Sequence, residues 1–225
     1  MLAPLGLAAT GNAQQSYVGR YDVYGGFAYF DSPDIHLNER GFHLQLGYNP
    51  KTWLATGFDY SVVTGTLTIT PDLLKPSLTA AITAQLLPLI QAGVIPPTYS
   101  LSIPVASTTH TFAAGPQLEY RHFQHLTIFL RPSIGAIYEI ATPHATDPIA
   151  AGIAKQLAPS GSKSEWKPFY GLGWGAEVNL SERVSVRMQA DFVHNSLFTD
   201  ILKTSRNTWR LSVGPAFHLG KNIAQ

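Results

Sequence analysis

The sequence predicts an all-β chain: an eight-stranded, antiparallel, up-and-down transmembrane β-barrel with short helical pieces in long extracellular loops. Three observations carry that prediction. Across residues 209–219 the chain alternates strictly, with Trp209, Leu211, Val213, Pro215, Phe217 and Leu219 on one face and Arg210, Ser212, Gly214, Ala216 and His218 on the other. Period-two alternation marks a strand with one apolar and one polar side, and a strand that is apolar outward and polar inward is how a barrel wall meets lipid. The pattern recurs about eight times along the chain. Short and long connections alternate between the repeats, as expected of tight periplasmic turns and long outer loops.

The first repeat places Tyr17, Tyr21, Val23, Phe27 and Tyr29 opposite Arg20, Asp22, Tyr24 and Gly26, and a longer connection is expected near Asp31. The second sets Phe42, Leu44, Leu46 and Tyr48 against His43, Gln45 and Gly47, then turns tightly at Asn49. The third alternates Leu54, Thr56, Phe58, Tyr60 and Val62 with Ala55, Gly57, Asp59 and Ser61. A loop insertion over residues 65–109 follows. In it Leu74, Leu78, Ala81, Ile82, Leu86, Leu89 and Ile90 recur at helical spacing, while Pro76 and Pro88 predict short helical pieces and not a membrane-spanning helix.

Alternation resumes with Phe112, Ala114, Pro116, Leu118 and Tyr120 opposite Ala113, Gly115, Gln117, Glu119 and Arg121. After a tight turn at Phe123 come Ile128, Leu130, Pro132, Ile134, Ala136 and Tyr138, opposite Thr127, Phe129, Arg131, Ser133 and Gly135. A second insertion covers residues 142–164, with an Ala/Ile/Leu patch at 149–157. Then Tyr170, Leu172, Trp174, Ala176 and Val178 oppose Gly171, Gly173, Gly175, Glu177 and Asn179; the chain turns at Ser181, and Val184, Val186, Met188, Ala190 and Phe192 oppose Ser185, Arg187, Gln189 and Asp191. A medium loop, residues 197–206, leads to the closing strand.

Composition agrees. Only 13% of residues are charged and 45% are hydrophobic, yet the mean hydropathy is +0.04: polar and apolar residues are interleaved, as a barrel wall requires. A net charge of +1 without a Lys/Arg run leaves no footprint for nucleic acid. Without cysteine there are no disulfides or thiolate metal sites, and the scattered histidines have no ligand spacing, so no metal or cofactor is expected. Residues 1–13 read as the remnant of a secretory signal, with Ala13 at the cleavage point and Gly11 in the small position before it, or as a flexible tail. Residues 14–225 are expected to form one barrel domain.

The polar face, summed over the strands, supplies Arg20, Asp22, Asp59, Glu119, Arg121, Arg131, Glu177, Arg187, Asp191 and Arg210. Equal numbers of both signs, set among glycine and alanine, predict an interior plugged by charged pairs. Facing lipid, an arginine at mid-depth costs about 2–4 kcal/mol. Tyr17, Tyr29, Tyr48, Trp53, Tyr60, Tyr120, Tyr138, Trp166, Tyr170 and Trp209 fall mostly toward strand ends, where aromatic girdles belong.

On these repeats the chain resembles the OmpA-like family of small outer-membrane β-barrel proteins over residues 17–219. The closing strand resembles the family's assembly signal in Ser212, Gly214, Phe217 and Leu219. The resemblance implies a bacterial outer-membrane location, insertion by the outer-membrane assembly machinery of a Gram-negative cell, and contact with outer-membrane lipid. The chain departs from the family in the residues that follow Leu219 and in the length and apolarity of the 65–109 loop.

The sequence therefore predicts a monomeric outer-membrane protein with an envelope-structural role, or a binding role for a ligand or protein partner carried by its loops. Two alternatives stay open. His194 and Ser196 resemble the His-x-Ser pair of outer-membrane lipid A deacylases, in which histidine activates serine and a carboxylate orients the histidine; Asp200 is the loop candidate for that carboxylate, and the bland reading is two polar residues at a strand end. A narrow porin-like channel is the other alternative, and it needs an interior free of crossing Arg–carboxylate pairs. Gly171, Gly173 and Gly175 sit at strand period, which makes room for bulky neighbours and argues against a nucleotide loop. A soluble lipocalin-type barrel would need the apolar face to line a pocket.

Overall fold

A computed structural model describes residues 15–224; the expected signal remnant or tail at 1–13 lies outside them. The strands are β1 (Gly19–Ser32), β2 (Leu37–Lys51), β3 (Leu54–Ile69), β4 (Ile103–Tyr120), β5 (Leu126–Pro143), β6 (Lys163–Asn179), β7 (Val184–Asn195) and β8 (Arg206–Asn222). Helix α1 (Pro76–Gln91) lies between β3 and β4, and α2 (Pro148–Leu157) between β5 and β6. Every strand pairs antiparallel with its sequence neighbours, and β8 closes on β1 through pairs such as Val23 with Phe217 and Tyr29 with Leu211.

The wall is inside-out relative to a soluble barrel. Phe27 and Leu46 point outward at 52% and 50% exposed, while Asp22, Arg131 and Glu177 on the opposite parity are at most 3% exposed. An outward apolar band, aromatic residues at both of its edges, eight antiparallel strands, tight turns at one end and longer loops at the other are the features of an outer-membrane barrel. The lipocalin arrangement falls on the same observation, because its charged face would have to look outward.

The alternation inverts above the lipid band. On β3 the outward residues change from Phe58, Tyr60 and Val62 to Thr64, Thr66 and Thr68, while the inward ones change from Asp59 and Ser61 to Val63 and Leu67. Outside the bilayer the wall meets water, so the ordinary rule of polar outside and apolar inside returns. This corrects the expected insertions. Strand pairing of β3 with β4 continues to Ile69 and Ile103, and β5 with β6 to Ala141 and Lys163, leaving connections of only 70–102 and 144–162.

One further expectation changes. The connection near Asp31 is not long: a short 3-10 turn, Pro33–Ile35, and His36 at φ 55° join β1 to β2. The 65–109 segment holds the expected short helical pieces, a 3-10 turn at Pro71–Leu73 and α1, and α1 runs through Pro88 without a break. Pro88 forfeits the hydrogen bond to the carbonyl of Ala84, but both residues are exposed, so that carbonyl is not buried without a partner. Gly93, at φ 71°, ends the helical run.

Inverted strand ends, helices and the 196–205 loop bury one apolar cluster over the barrel mouth. It contains Ile35, Leu37, Leu67 and Leu74 from the wall and turns, Ile82 from α1, Ala150 and Ile153 from α2, and Leu197, Phe198 and Leu202 from the last loop. The helices are tied together by a reciprocal amide pair, Gln85 with Gln156, at 3.2 Å in both directions. An isolated bridge, Leu74 with Leu202, joins the first long loop to the last.

Candidate functional site

The lumen is filled by a ladder of charged and amide side chains. Near the tight-turn end His218 bridges two carboxylates, with Nδ1 2.7 Å from Asp22 and Nε2 2.8 Å from Glu177. Arg187 donates from Nη2 to Glu177 at 2.8 Å and from Nη1 to Gln45 at 2.9 Å. Gln45 then reaches Gln117 at 3.3 Å, and Gln117 reaches Glu119 at 2.7 Å, beside Arg121. This chain of contacts runs from β7 through β2 to β4 and so crosses the lumen.

At mid-height Arg131 on β5 holds Asp59 on β3 at 2.5 Å and Asp191 on β7 at 3.2 Å. His43 lies between Ser212, at 3.1 Å, and Asp59, at 3.6 Å. Arg210 faces aromatic rings, its guanidinium 4.9 Å from the centre of Phe30 and 6.0 Å from that of Phe169. Such cation–π contacts give a buried cation an electrostatic partner other than a carboxylate.

Nine of the ten residues expected in the interior are buried there; Arg20 is the exception. The pairing of β1 with β8 shifts between Gly19 and Tyr21, which moves Arg20 to the rim, where Nη1 donates to the exposed Tyr48 hydroxyl at 3.2 Å. A bulge of this kind turns a strand's parity by one residue. The strand ends add charges beyond the expected ten. Glu39, Glu139 and Arg206 also point inward, the Ser107 hydroxyl lies between Glu39 at 2.9 Å and Glu139 at 3.1 Å, and Arg206 is paired with Glu139. Only a continued period-two count past Phe42, Tyr138 and Trp209 would have found them.

The other expected positions fall as follows. Ser212 is buried against His43, Gly214 lies on the β8–β1 seam, and Phe217 and Leu219 face outward near the tight-turn end. His194 lies against Tyr170, the ring centres 5.3 Å apart and tilted by 35°, and hydrogen-bonds with the side-chain oxygen of Asn207 at 2.9 Å. Ser196 lies just past the end of β7, and no hydrogen bond joins it to His194 among the described residues. Asp200 is engaged elsewhere, by Lys163 at 2.6 Å. The serine, histidine and carboxylate needed for acyl transfer are therefore not assembled.

Above the ladder an apolar crevice of about 60 Å³ opens at the extracellular mouth. Ile69, Ile103, Val105 and Ala141 of the wall, Ala154 and Leu157 of α2, and Phe198 and Ile201 of the last loop line it, over a floor of Glu139 and Arg206. The lid above is held by loop polar contacts. Asp147 caps α2 by accepting from the backbone N–H groups of Ile149 and Ala150, both at 2.9 Å, and Tyr99 donates to it at 3.1 Å. The Ala150 N–H is the main cause that holds the Asp147 carboxyl below its ordinary pKa, and burial first, then Asp147, raises that of the Tyr99 phenol.

No protein-family model matches the chain, and no curated protein matches it in sequence. Among solved structures it is similar to Neisserial surface protein A, with a TM-score of 0.56 at 9% identity over 90% of this chain and 99% of that one. It is also similar to outer membrane protein OprG from Pseudomonas aeruginosa, at TM-score 0.47 and 12% identity over 91% and 97% of the two chains. A third is Ail, the attachment invasion locus protein of Yersinia pestis, at TM-score 0.46 and 18% identity over 89% and 99%. At these identities the likeness is one of fold.

Proposed function

We propose that the protein is a non-conducting barrel of the outer membrane with an envelope-structural role, and that its folded extracellular mouth serves as a binding surface. One observation carries the first half: Arg131 joins Asp59 and Asp191 from separate walls, and the contacts running from Arg187 through Gln45 and Gln117 to Glu119 cross the lumen. The second half is supported by the lid. A barrel that served only to anchor itself has no need of two helices packed over its mouth with an apolar crevice beneath them. Outer-membrane lipid around the wall and the assembly machinery at the closing strand complete the expected partners, with the chain acting as a monomer.

Planar-bilayer recording of the refolded protein tests the reading, beside a variant in which residues 70–102 are replaced by a short turn. Neither is expected to show unitary current steps, because the block lies in the lumen and not in the loop. Sustained steps from the wild type would overturn the plugged barrel and favour the narrow channel.

A further inference from the structure

Charge is unevenly placed at the tight-turn end of the barrel. The Lys and Arg side chains that reach solvent there are Arg20 on β1, Lys51 at the end of β2, Arg183 in the turn after β6, and Lys221 near the end of β8. Of the acids at that end Asp22, Glu119 and Glu177 are buried in the lumen, which leaves Glu182, beside Arg183, as the exposed carboxylate among the described residues. Lys221, Arg20 and Lys51 therefore stand on three consecutive strands, β8, β1 and β2, without an exposed acid among them. Asp22, the acid these strands carry at this end, is held inward by Asn49 at 2.8 Å and His218 at 2.7 Å.

The cations are braced on the rings that edge the lipid band. The Arg20 guanidinium lies 5.8 Å from the centre of the Tyr48 ring and donates to its hydroxyl at 3.2 Å, and Nζ of Lys51 lies 5.3 Å from the centre of Trp53. Tyr21 packs against Tyr48 with ring centres 5.7 Å apart. Gly220, the residue before Lys221, sits so close to β1 that a Cβ there would be 3.2 Å from that of Arg20. Tyr21, Tyr48 and Trp53 are all exposed, and an aromatic girdle lies at headgroup depth, where long basic side chains keep their charge in the interface. Outward Leu46, Phe217 and Leu219 continue the same sector into the apolar band.

We propose that Arg20, Lys51 and Lys221 form a headgroup site for an anionic phospholipid of the periplasmic leaflet. This rests on the barrel lying in a bilayer, and it adds to the lipid contact of the wall a defined place and a charge class. The phosphate meets the three cations while the acyl chains lie on Tyr21, Leu219 and Phe217. A zwitterionic headgroup fits less well, because its ammonium finds cations and no exposed carboxylate in this sector. Basic clusters beside a membrane-spanning wall attract anionic lipid for the same reason.

The full chain, refolded in a zwitterionic detergent, would be titrated with phosphatidylglycerol and with phosphatidylcholine of the same acyl chains, and bound lipid counted by native mass spectrometry. Phosphatidylglycerol is expected to be preferred by about tenfold or more, since each basic residue near a headgroup is worth roughly fivefold. Arg20→Gln, Lys51→Gln and Lys221→Gln should each weaken it, and the triple variant should bind the two lipids alike. Lys75→Gln/Lys155→Gln/Lys203→Gln removes the same charge from the loop end and should keep the wild-type preference. Excess glycerol 3-phosphate should not displace the lipid, because the free anion lacks the acyl chains. Folding of each variant is checked by its heat-modified gel band; should the triple variant fail there, Lys51→Gln/Lys221→Gln carries the test. Equal binding of the two lipids by the wild type, an unchanged preference in the rim variants, an equal loss in the loop-end variant, or displacement by glycerol 3-phosphate would overturn the proposal. A barrel that folds in lipid without a headgroup preference loses this site alone, whereas one that stays folded and soluble without detergent or lipid would overturn the membrane reading itself.

Discussion

Glu177 on β6 and Arg187 on β7 stand directly opposite each other in the strand register, and Arg187 donates to one Glu177 oxygen from both Nε, at 3.1 Å, and Nη2, at 2.8 Å. Both side chains are at most 1% exposed. A pair this deep is held in place by its hydrogen bonds, since each charge alone is costly to bury.

Arg187→Met is accordingly expected to cost about 3–5 kcal/mol, because it leaves the Glu177 carboxylate without its guanidinium. The double variant Glu177→Gln/Arg187→Met should recover a large part of that loss. Urea unfolding of the refolded barrel, read by the heat-modified band, checks both. A double variant as unstable as the single one would show that the pair is not coupled.

Gly173 is expected to accept a side chain only if Asp191 moves. A Cβ at that position would fall on the Asp191 carboxylate, which holds Arg131. Gly173→Ala should destabilise by about 1–3 kcal/mol, as overpacked sites do, and Gly152→Ala, where a Cβ meets open space, should not. Equal stability of the two variants would contradict the tight packing of the lumen.

The β8–β1 seam makes a kinetic prediction. Gly214 brings β8 so close to β1 that a Cβ would run into the backbone of Gly25 and Gly26. Gly214→Val should slow the appearance of the folded band on refolding into lipid, while a substitution at the open Gly152 leaves the rate unchanged. An unaltered rate in Gly214→Val would remove the seam from the slow step.

The lid should respond to pH at its two ends. Asp147 has its folded-state pKa depressed below 3.8, so its contribution is present above that value and lost as pH falls through the lowered one. Tyr99 has its own raised above 10.0, so its contribution is present below that value and lost as pH rises through the raised one. Ultraviolet titration should therefore show Tyr99 ionising later than the exposed tyrosines, and Asp147→Asn should bring it back toward 10.0. An unchanged midpoint in that variant would mean that the Tyr99–Asp147 contact does not form.

The His194 and Ser196 geometry predicts no acyl transfer. Incubated with outer-membrane lipid, the protein should release no fatty acid above the rate of a Ser196→Ala variant. Release that vanished in both Ser196→Ala and His194→Ala would establish the hydrolase instead.

Sequence alone determined the wall. Lipid on one side and a polar lumen on the other impose period two on every residue between the girdles, so Arg131, Glu177 and Asp191 could be placed inward by counting from Leu130, Val178 and Phe192. Tertiary structure decided what local periodicity cannot carry. The bulge that swings Arg20 to the rim depends on how β1 meets β8, the first and last strands and so distant in sequence. Glu39, Glu139 and Arg206 fall on the inward parity of strands that run on past the lipid band, and only the closed barrel shows how far those strands extend. The crevice exists only because α2, the last loop and five strand ends converge on it, and a side chain such as Arg206 acquires its neighbours from the closed barrel and not from its own strand.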